Sequence, residues 1–346
     1  MSSDTRAVRA GEELPADRLA AWLDLPGPLA VEQFPGGHSN LTYLLRAGER
    51  ELVLRRPPFG SKVKTAHDMR REYRILTALH PAGVPVPRPI AFCDEEAVIG
   101  ARFYVMERLR GIIVRREVPA GLALDADLAG RLCTSFVDAL AALHAIDWQA
   151  VGLAELGKPE GYAQRQVAGW TKRWQDARTD DVPAMETVGA WLAGHLPPSP
   201  PATIVHNDFK LDNLVLDPND PTRIIGILDW EMATIGDPLM DLGTSLCYWI
   251  ETADPADLRR YAFGPTAGPG FFTRRQLAEA YAERRGLSLG HLSFYYAFGL
   301  YKTSVVAQQI YLRWKQGLTR DPRFEAMLDA TRALSAQAER ATRGEA

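Results

Sequence analysis

The rhythm of the chain changes once, at Arg110-Gly111, and that change limits the fold more than any other feature. Before it, short β-prone runs alternate with turn clusters. Residues 31–34, 41–46 and 51–56 are separated by Pro35-Gly36-Gly37-His38-Ser39-Asn40 and by Ala47-Gly48-Glu49-Arg50, as a meander of hairpins requires. Thr65-Ala66-His67-Asp68 has the form of a capping box and opens a helix to about Leu79, with Met69, Tyr73, Leu76 and Leu79 on its core face. The prolines of Val84-Pro85-Val86-Pro87-Arg88-Pro89 exclude helix, and residues 90–93 and 101–109 return to strand. A short helix over residues 17–25, stopped by Pro26-Gly27, precedes all of this.

After Gly111 the apolar spacing becomes helical. Residues 127–145 carry Leu128, Leu132, Phe136, Leu140 and Leu143, and further helices are expected over 162–177, 185–195, 239–249, 274–285 and 291–316. The only strands expected here are Ile204-Val205 and one hairpin. The chain therefore reads as an α+β protein with two lobes. Residues 1–109 form a small N-terminal antiparallel β-sheet lobe with one main helix, and residues 110–346 a larger, mostly helical C-terminal lobe. A cleft between such lobes is the expected place for a ligand.

Composition removes several function classes. A net charge of −3 and a pI near 6.2 supply no basic footprint for nucleic acid. Cys93, Cys133 and Cys247 are far apart and lack CxxC spacing, which argues against a disulfide framework and fits a reducing cytoplasm. No apolar leader is expected at the N-terminus, where Asp4, Arg6, Arg9, Glu12 and Glu13 cluster. The longest uncharged stretch, residues 187–207, is broken by Pro197, Pro198, Pro200 and Pro201 and is no membrane span. Oligomeric state is not legible.

The hairpin holds the chemistry. Two apolar runs, 214–216 and 223–228, flank Asp217-Pro218-Asn219-Asp220-Pro221, a cluster of turn residues. Asn213 opens the first strand and Asp229 closes the second, so antiparallel pairing is expected to bring both to the open end. Asp208 lies just upstream. A base and two oxygen ligands for Mg²⁺ thus converge on paper. The paired glycines Gly36 and Gly37 could bring bare backbone N–H groups to an anion, although alone they make only a hairpin turn.

The spacing His206-x-Asp208-x-x-x-x-Asn213, followed by Asp229-Trp230-Glu231, resembles the aminoglycoside phosphotransferase and choline-kinase-like enzymes, relatives of the protein kinases. The resemblance covers roughly residues 30–315 and implies a protein-kinase-like fold and transfer of the ATP γ-phosphate to a small-molecule hydroxyl. It implies Asp208 as the base and Asn213 and Asp229 as Mg²⁺ ligands. Arg55 stands where the family carries its strand lysine, with Glu72 as its helix partner. Gly36, Gly37 and Ser39 would cover the phosphates. Glu107 and Leu109 lie in the segment that would bond adenine, and His206 and Asp241 would brace the catalytic loop. Two departures stand out: arginine replaces lysine at position 55, and the glycine turn lacks GxGxxG spacing.

A protein-kinase reading fails on two counts. Asn207 replaces the arginine that precedes the catalytic Asp, and Asp229 and Asp237 are too close to enclose an activation loop. A catalytically silent nucleotide-binding module is the alternative from another class, and Arg55 is its only support. Residues 286–320 contain no acidic residue but include Tyr301 and Lys302, offered as a possible acceptor pocket. That composition suits a neutral or anionic, partly apolar acceptor better than a polycationic aminoglycoside. Val53-Leu54-Arg55-Arg56-Pro57 and Arg71-Glu72-Tyr73-Arg74 are similar to the subgroup fused to acyl-CoA dehydrogenases, and that resemblance implies a hydroxyacid or hydroxyacyl-CoA as acceptor, while an aminoglycoside O-phosphotransferase proper stays open.

Overall fold

In the computed structural model, which describes residues 4–35, 40–59, 68–319 and 321–346, the expected meander is a five-stranded antiparallel sheet. Its strands are β1 (Ala30–Gln33), β2 (Leu41–Ala47), β3 (Arg50–Arg56), β4 (Pro89–Cys93) and β5 (Phe103–Glu107), in the order β1-β2-β3-β5-β4. Strand alternation sorts the side chains. Tyr43 and Leu45, Leu52 and Leu54, and Phe103 and Val105 form one buried cluster, closed by Leu19 of helix α1 (Ala16–Trp22). The intervening residues, Arg55 and Tyr104 among them, turn to helix α2 (Met69–Leu79) and its Glu72.

The start of α2 is set by one side chain. Asp68 is itself the N-cap of α2, its carboxylate accepting the Arg71 N–H at 3.0 Å. The expected box begins at Thr65, which lies outside the described residues. Pro85 serves the sheet side differently: its carbonyl accepts the Ile227 N–H at 2.6 Å. Ile225–Glu231 accordingly belongs with Met1–Gly111 in one unit, although the sequence reading placed that segment with the helices.

The second unit comprises Ile112–Ile224 and Met232–Ala346. Its helices are α3 (Ala126–Ala145), α4 (Tyr162–Ala177), α5 (Pro183–Gly194), α6 (Pro238–Cys247), α7 (Ala256–Arg259), α8 (Arg274–Arg285), α9 (Leu292–Lys315) and α10 (Met327–Thr342). Short strands β6 (Thr203–Val205), β7 (Leu214–Leu216), β8 (Ile224–Ile227) and β9 (Thr234–Gly236) lie between α5 and α6. The predicted turn before β8 is closed by the Asp217 N–H on the Arg223 carbonyl at 2.9 Å. Strand β9, which pairs antiparallel with β6, and helix α10 are absent from the sequence reading.

Every residue of α6 is buried, which is the pattern of a helix wholly inside a core. It crosses α9 at backbone contact. A Cβ on Gly243 would lie 2.1 Å from the Tyr295 carbonyl oxygen, and one on Gly299 2.2 Å from the Gly243 carbonyl oxygen. Glycine at both positions is the steric condition for this crossing, and the crossing sets the two helices that hold the loop described next.

Candidate active site

Two clusters contain the predicted site residues, one in each unit. In the first, the Arg55 guanidinium is nearly buried among acids. Its Nη2 donates to Asp229 Oδ1 at 2.5 Å, its Nε lies 3.2 Å from Glu72 Oε2, and Glu231 Oε2 is 4.0 Å away. The Nε–Glu72 approach lies off the N–H axis, so that contact is ionic more than hydrogen-bonded. Glu72 also accepts from Tyr104 Oη and from Asn40 Nδ2, both at 3.0 Å, and the same Asn40 amide reaches Glu231 Oε2 at 3.0 Å.

Burial and charge oppose each other here. Burial pushes the Glu72 carboxyl up, and Arg55 restrains the rise. Burial disfavours the Arg55 charge, yet Glu72, Asp229 and Glu231 overcome it and hold Arg55 above its ordinary range. Asp229 adopts a left-handed backbone (φ 67°), a conformation that aspartate tolerates better than most residues. The Glu72 of the sequence reading, whose common fate would be solvent, is instead 1% exposed.

In the second unit, the segment after β6 forms a loop whose backbone is tied from behind. Asp241, in the first turn of α6, accepts the His206 N–H on Oδ2 at 2.6 Å and the Asn207 N–H on Oδ1 at 2.7 Å. His144 of α3 approaches the same carboxylate at 3.1 Å, and its other ring nitrogen meets Tyr281 Oη at 2.5 Å. Burial alone would raise the Asp241 carboxyl. The bond and charge of His144, with the His206 amide, hold it below the usual range instead.

Asn207 is the pivot. Its backbone is left-handed (φ 64°), and its side chain bridges the Met232 carbonyl (3.0 Å) and the Tyr162 hydroxyl (3.2 Å). Its own carbonyl accepts the Lys302 ammonium. The turn this creates presents Asp208. Tyr248 Oη donates to Asp208 Oδ1 at 2.6 Å, Asn213 Nδ2 donates to Oδ2 and to the Asp208 carbonyl at 2.9 Å each, and Lys210 Nζ straddles both oxygens at 3.2 and 3.0 Å. With its amide nitrogen committed to Asp208, Asn213 keeps its amide oxygen as the acceptor, the atom type a hard cation takes.

The structure thus brings Arg55, Glu72 and Asp229 together, Asp208 with Asn213, and His206 with Asp241. Lys302 is 3% exposed and donates its ammonium to the Asn207 carbonyl, so it braces the loop. Burial drives its ammonium below its ordinary range. Tyr301 bonds Thr171 Oγ1 at 3.3 Å beside a groove of about 550 Å³ among α4, α5 and α9. Glu107 accepts the Arg88 N–H on its side chain at 2.8 Å, and Leu109 is half-buried just beyond β5. Gly36, Gly37 and Ser39 lie outside the described residues.

Sequence reasoning missed Tyr248, Lys210, His144 and Asn40. A signal existed for Tyr248: it falls seven residues after Asp241, two helical turns along the same face.

Residues 30–280 match the sequence profile described as the phosphotransferase enzyme family. The chain is 36% identical over 318 residues to mouse acyl-CoA dehydrogenase family member 10, covering 90% of this chain and 29% of that protein. It spans well under half the length of the curated relatives it matches. Among solved structures, a Ralstonia eutropha protein provisionally described as an aminoglycoside phosphotransferase superposes with TM-score 0.82 at 31% identity, over 96% of this chain and 99% of that one. A thermostable mutant of aminoglycoside phosphotransferase APH(4)-Ia, in ternary complex with AMP-PNP and hygromycin B, gives TM-score 0.61 at 17% identity, covering 94% and 97%. At that identity the likeness speaks for the fold alone.

Proposed function

Because the chain belongs to the phosphotransferase enzyme family and has the fold of the kinase-like small-molecule phosphotransferases, we propose that it moves the γ-phosphate of ATP, with Mg²⁺, to a hydroxyl of a small molecule. Asp208 is the base that takes the hydroxyl proton. Asn213 and Asp229 are the oxygen ligands that would hold Mg²⁺, which supplies charge neutralisation on the phosphates. Arg55, with Glu72 behind it, is the cation for the nucleotide phosphates, and Glu107 and Leu109 lie where adenine is bonded.

The single observation that supports this reading best is the setting of Asp208. A carboxylate has about four acceptor positions, and Tyr248, Asn213 and the straddling Lys210 engage both oxygens. Of these donors, Lys210 alone sits on a long flexible stem. An incoming hydroxyl can displace it while the other two keep the carboxylate aimed. Such a base is positioned rather than merely present, which is what phosphoryl transfer asks of a protein.

For the acceptor we favour a hydroxyacid or hydroxyacyl-CoA. The absence of acidic residues from 286–320 and the likeness to a protein named as an acyl-CoA dehydrogenase family member support this. The Ralstonia protein's description favours an aminoglycoside as the second reading. Thermal-shift screening against hydroxyacids, hydroxyacyl-CoAs and kanamycin-like ligands separates them, and a shift with the last class alone would overturn our preference.

A coupled assay with ATP and a panel of hydroxylated metabolites tests the reaction. Asp208→Asn should abolish turnover while calorimetric ATP affinity stays within about threefold; equal loss of both would contradict the base assignment. ATP binding with no acceptor phosphorylated by the unmodified chain would instead leave a silent nucleotide-binding module.

A further inference from the structure

Helix α6 touches the loop of residues 206–208 twice. Asp241, in its first turn, fixes the backbone, and Tyr248, its C-cap residue, fixes the Asp208 side chain. The two contacts are seven residues apart, about 10 Å along one rigid element. Tyr248 is itself held on every side. Its ring packs edge-on against Phe263 with centroids 4.8 Å apart, and Lys210 Nζ sits 4.9 Å over its face. Thr303 of α9 neighbours its hydroxyl, and the Thr303 hydroxyl lies 3.0 Å from Cys247 Sγ.

We propose that Tyr248 is a positioning residue for the base: its hydroxyl sets the direction and hydrogen-bonding state of the Asp208 carboxylate and thereby the efficiency of proton removal from the acceptor. The proposal rests on the reading of Asp208 as that base. Two physical arguments carry it. A 2.6 Å O–H···O contact is the short kind that a charged acceptor forms, and it lies on Oδ1, opposite the Asn213 bond on Oδ2. Together the two donors leave the carboxylate one rotamer, so removing either one releases it. Lys210 cannot replace Tyr248, because the same ammonium is the donor that an acceptor hydroxyl displaces. Burial and the Asp208 charge also hold the Tyr248 phenol well above its ordinary range, so it keeps its proton and stays a donor at neutral pH.

Tyr248→Phe removes only the hydroxyl. Two readouts apply, one independent of turnover. In the full chain with ¹³C-labelled aspartate, the Asp208 carboxyl resonance, assigned by its loss in Asp208→Asn, should move in Tyr248→Phe; coincident resonances would overturn the proposal. In the MgATP assay with whichever acceptor the panel identifies, kcat should fall at least tenfold while KM for ATP stays within twofold. A parallel rise in KM for ATP with unchanged kcat would also overturn it. If the unmodified chain transfers no phosphate, the reading of Asp208 as a kinase base fails by itself, and the carboxyl resonance still decides whether Tyr248 holds Asp208. Thr303→Val, which removes the hydroxyl neighbouring Tyr248 and preserves volume, should show the same two changes at smaller size. It serves as the second variant if Tyr248→Phe does not fold.

Discussion

Arg55 has more acid around it than one guanidinium can neutralise, and its removal would leave Glu72 charged and buried with only neutral donors. Deleting one partner of a buried pair costs about 3–5 kcal/mol. Arg55→Met should therefore lower the unfolding free energy obtained from guanidinium denaturation by that amount, and adding Glu72→Gln should restore part of it. A double variant no more stable than the single one would show that Glu72 is not the group left stranded. The sequence could name Arg55 and Glu72 as partners because a family pattern carries them. It could not name Asn40 or Tyr104: Asn40 finds Glu72 and Glu231 at separations of 32 and 191 residues, and Tyr104 meets Glu72 across 32. Lys302 shows the opposite case. An unpaired lysine among aromatics reads as a ligand contact until the Asn207 carbonyl is seen to accept it.

At the scale of elements, the crossing of α6 and α9 is the feature on which the loop depends, since α6 supplies Asp241 and Tyr248 and α9 supplies Lys302 and Thr303. Gly243→Ala forces these helices apart. Overpacking of this kind costs about 1–3 kcal/mol, and the larger effect should be on turnover, because the braces on the loop move with the helices. Thermal denaturation and kcat measured on the same preparation check this; a stability loss with unchanged kcat would separate the crossing from the loop. Long helices were legible because their apolar spacing repeats: α8 matches its expected bounds, and α9 falls within one residue at each end. Strand β9 was not, since three residues ending in glycine have no period of their own and exist as strand through β6. Helix α10 was missed for a related reason. Its buried face is built largely from Ala330, Thr331, Ser335, Gln337, Ala338 and Ala341, residues too small or polar to register as an apolar stripe.

The whole molecule feels these local arrangements through pH. Burial pushes the Asp237 carboxyl, the N-cap of α6, up to about 6, against the opposing bonds of the Leu239 amide and Tyr295. Between about pH 4 and 6 the folded chain keeps a proton there that the unfolded chain has released, so stability falls as pH rises through this window, by about 3 kcal/mol in all. Asp237→Asn keeps a capping oxygen and should flatten that slope in chemical denaturation followed from pH 4 to 7; an unchanged slope would place the titration elsewhere. Relatives that are more than twice the length of this chain share its phosphotransferase region, and the described residues contain no helix long and apolar enough to cross a membrane.

The fixing of His206 and Asn207 by one buried carboxylate has a last consequence, which concerns entropy. Ordering a backbone residue costs about 1–2 kcal/mol, and an irregular loop normally incurs part of that cost each time it closes on a ligand. Here the amides of residues 206 and 207 are already bound to Asp241, so their disorder is lost once, when the chain folds. A substrate arriving at Asp208 meets a backbone with little freedom left to surrender, and it is the Lys210 side chain that gives way.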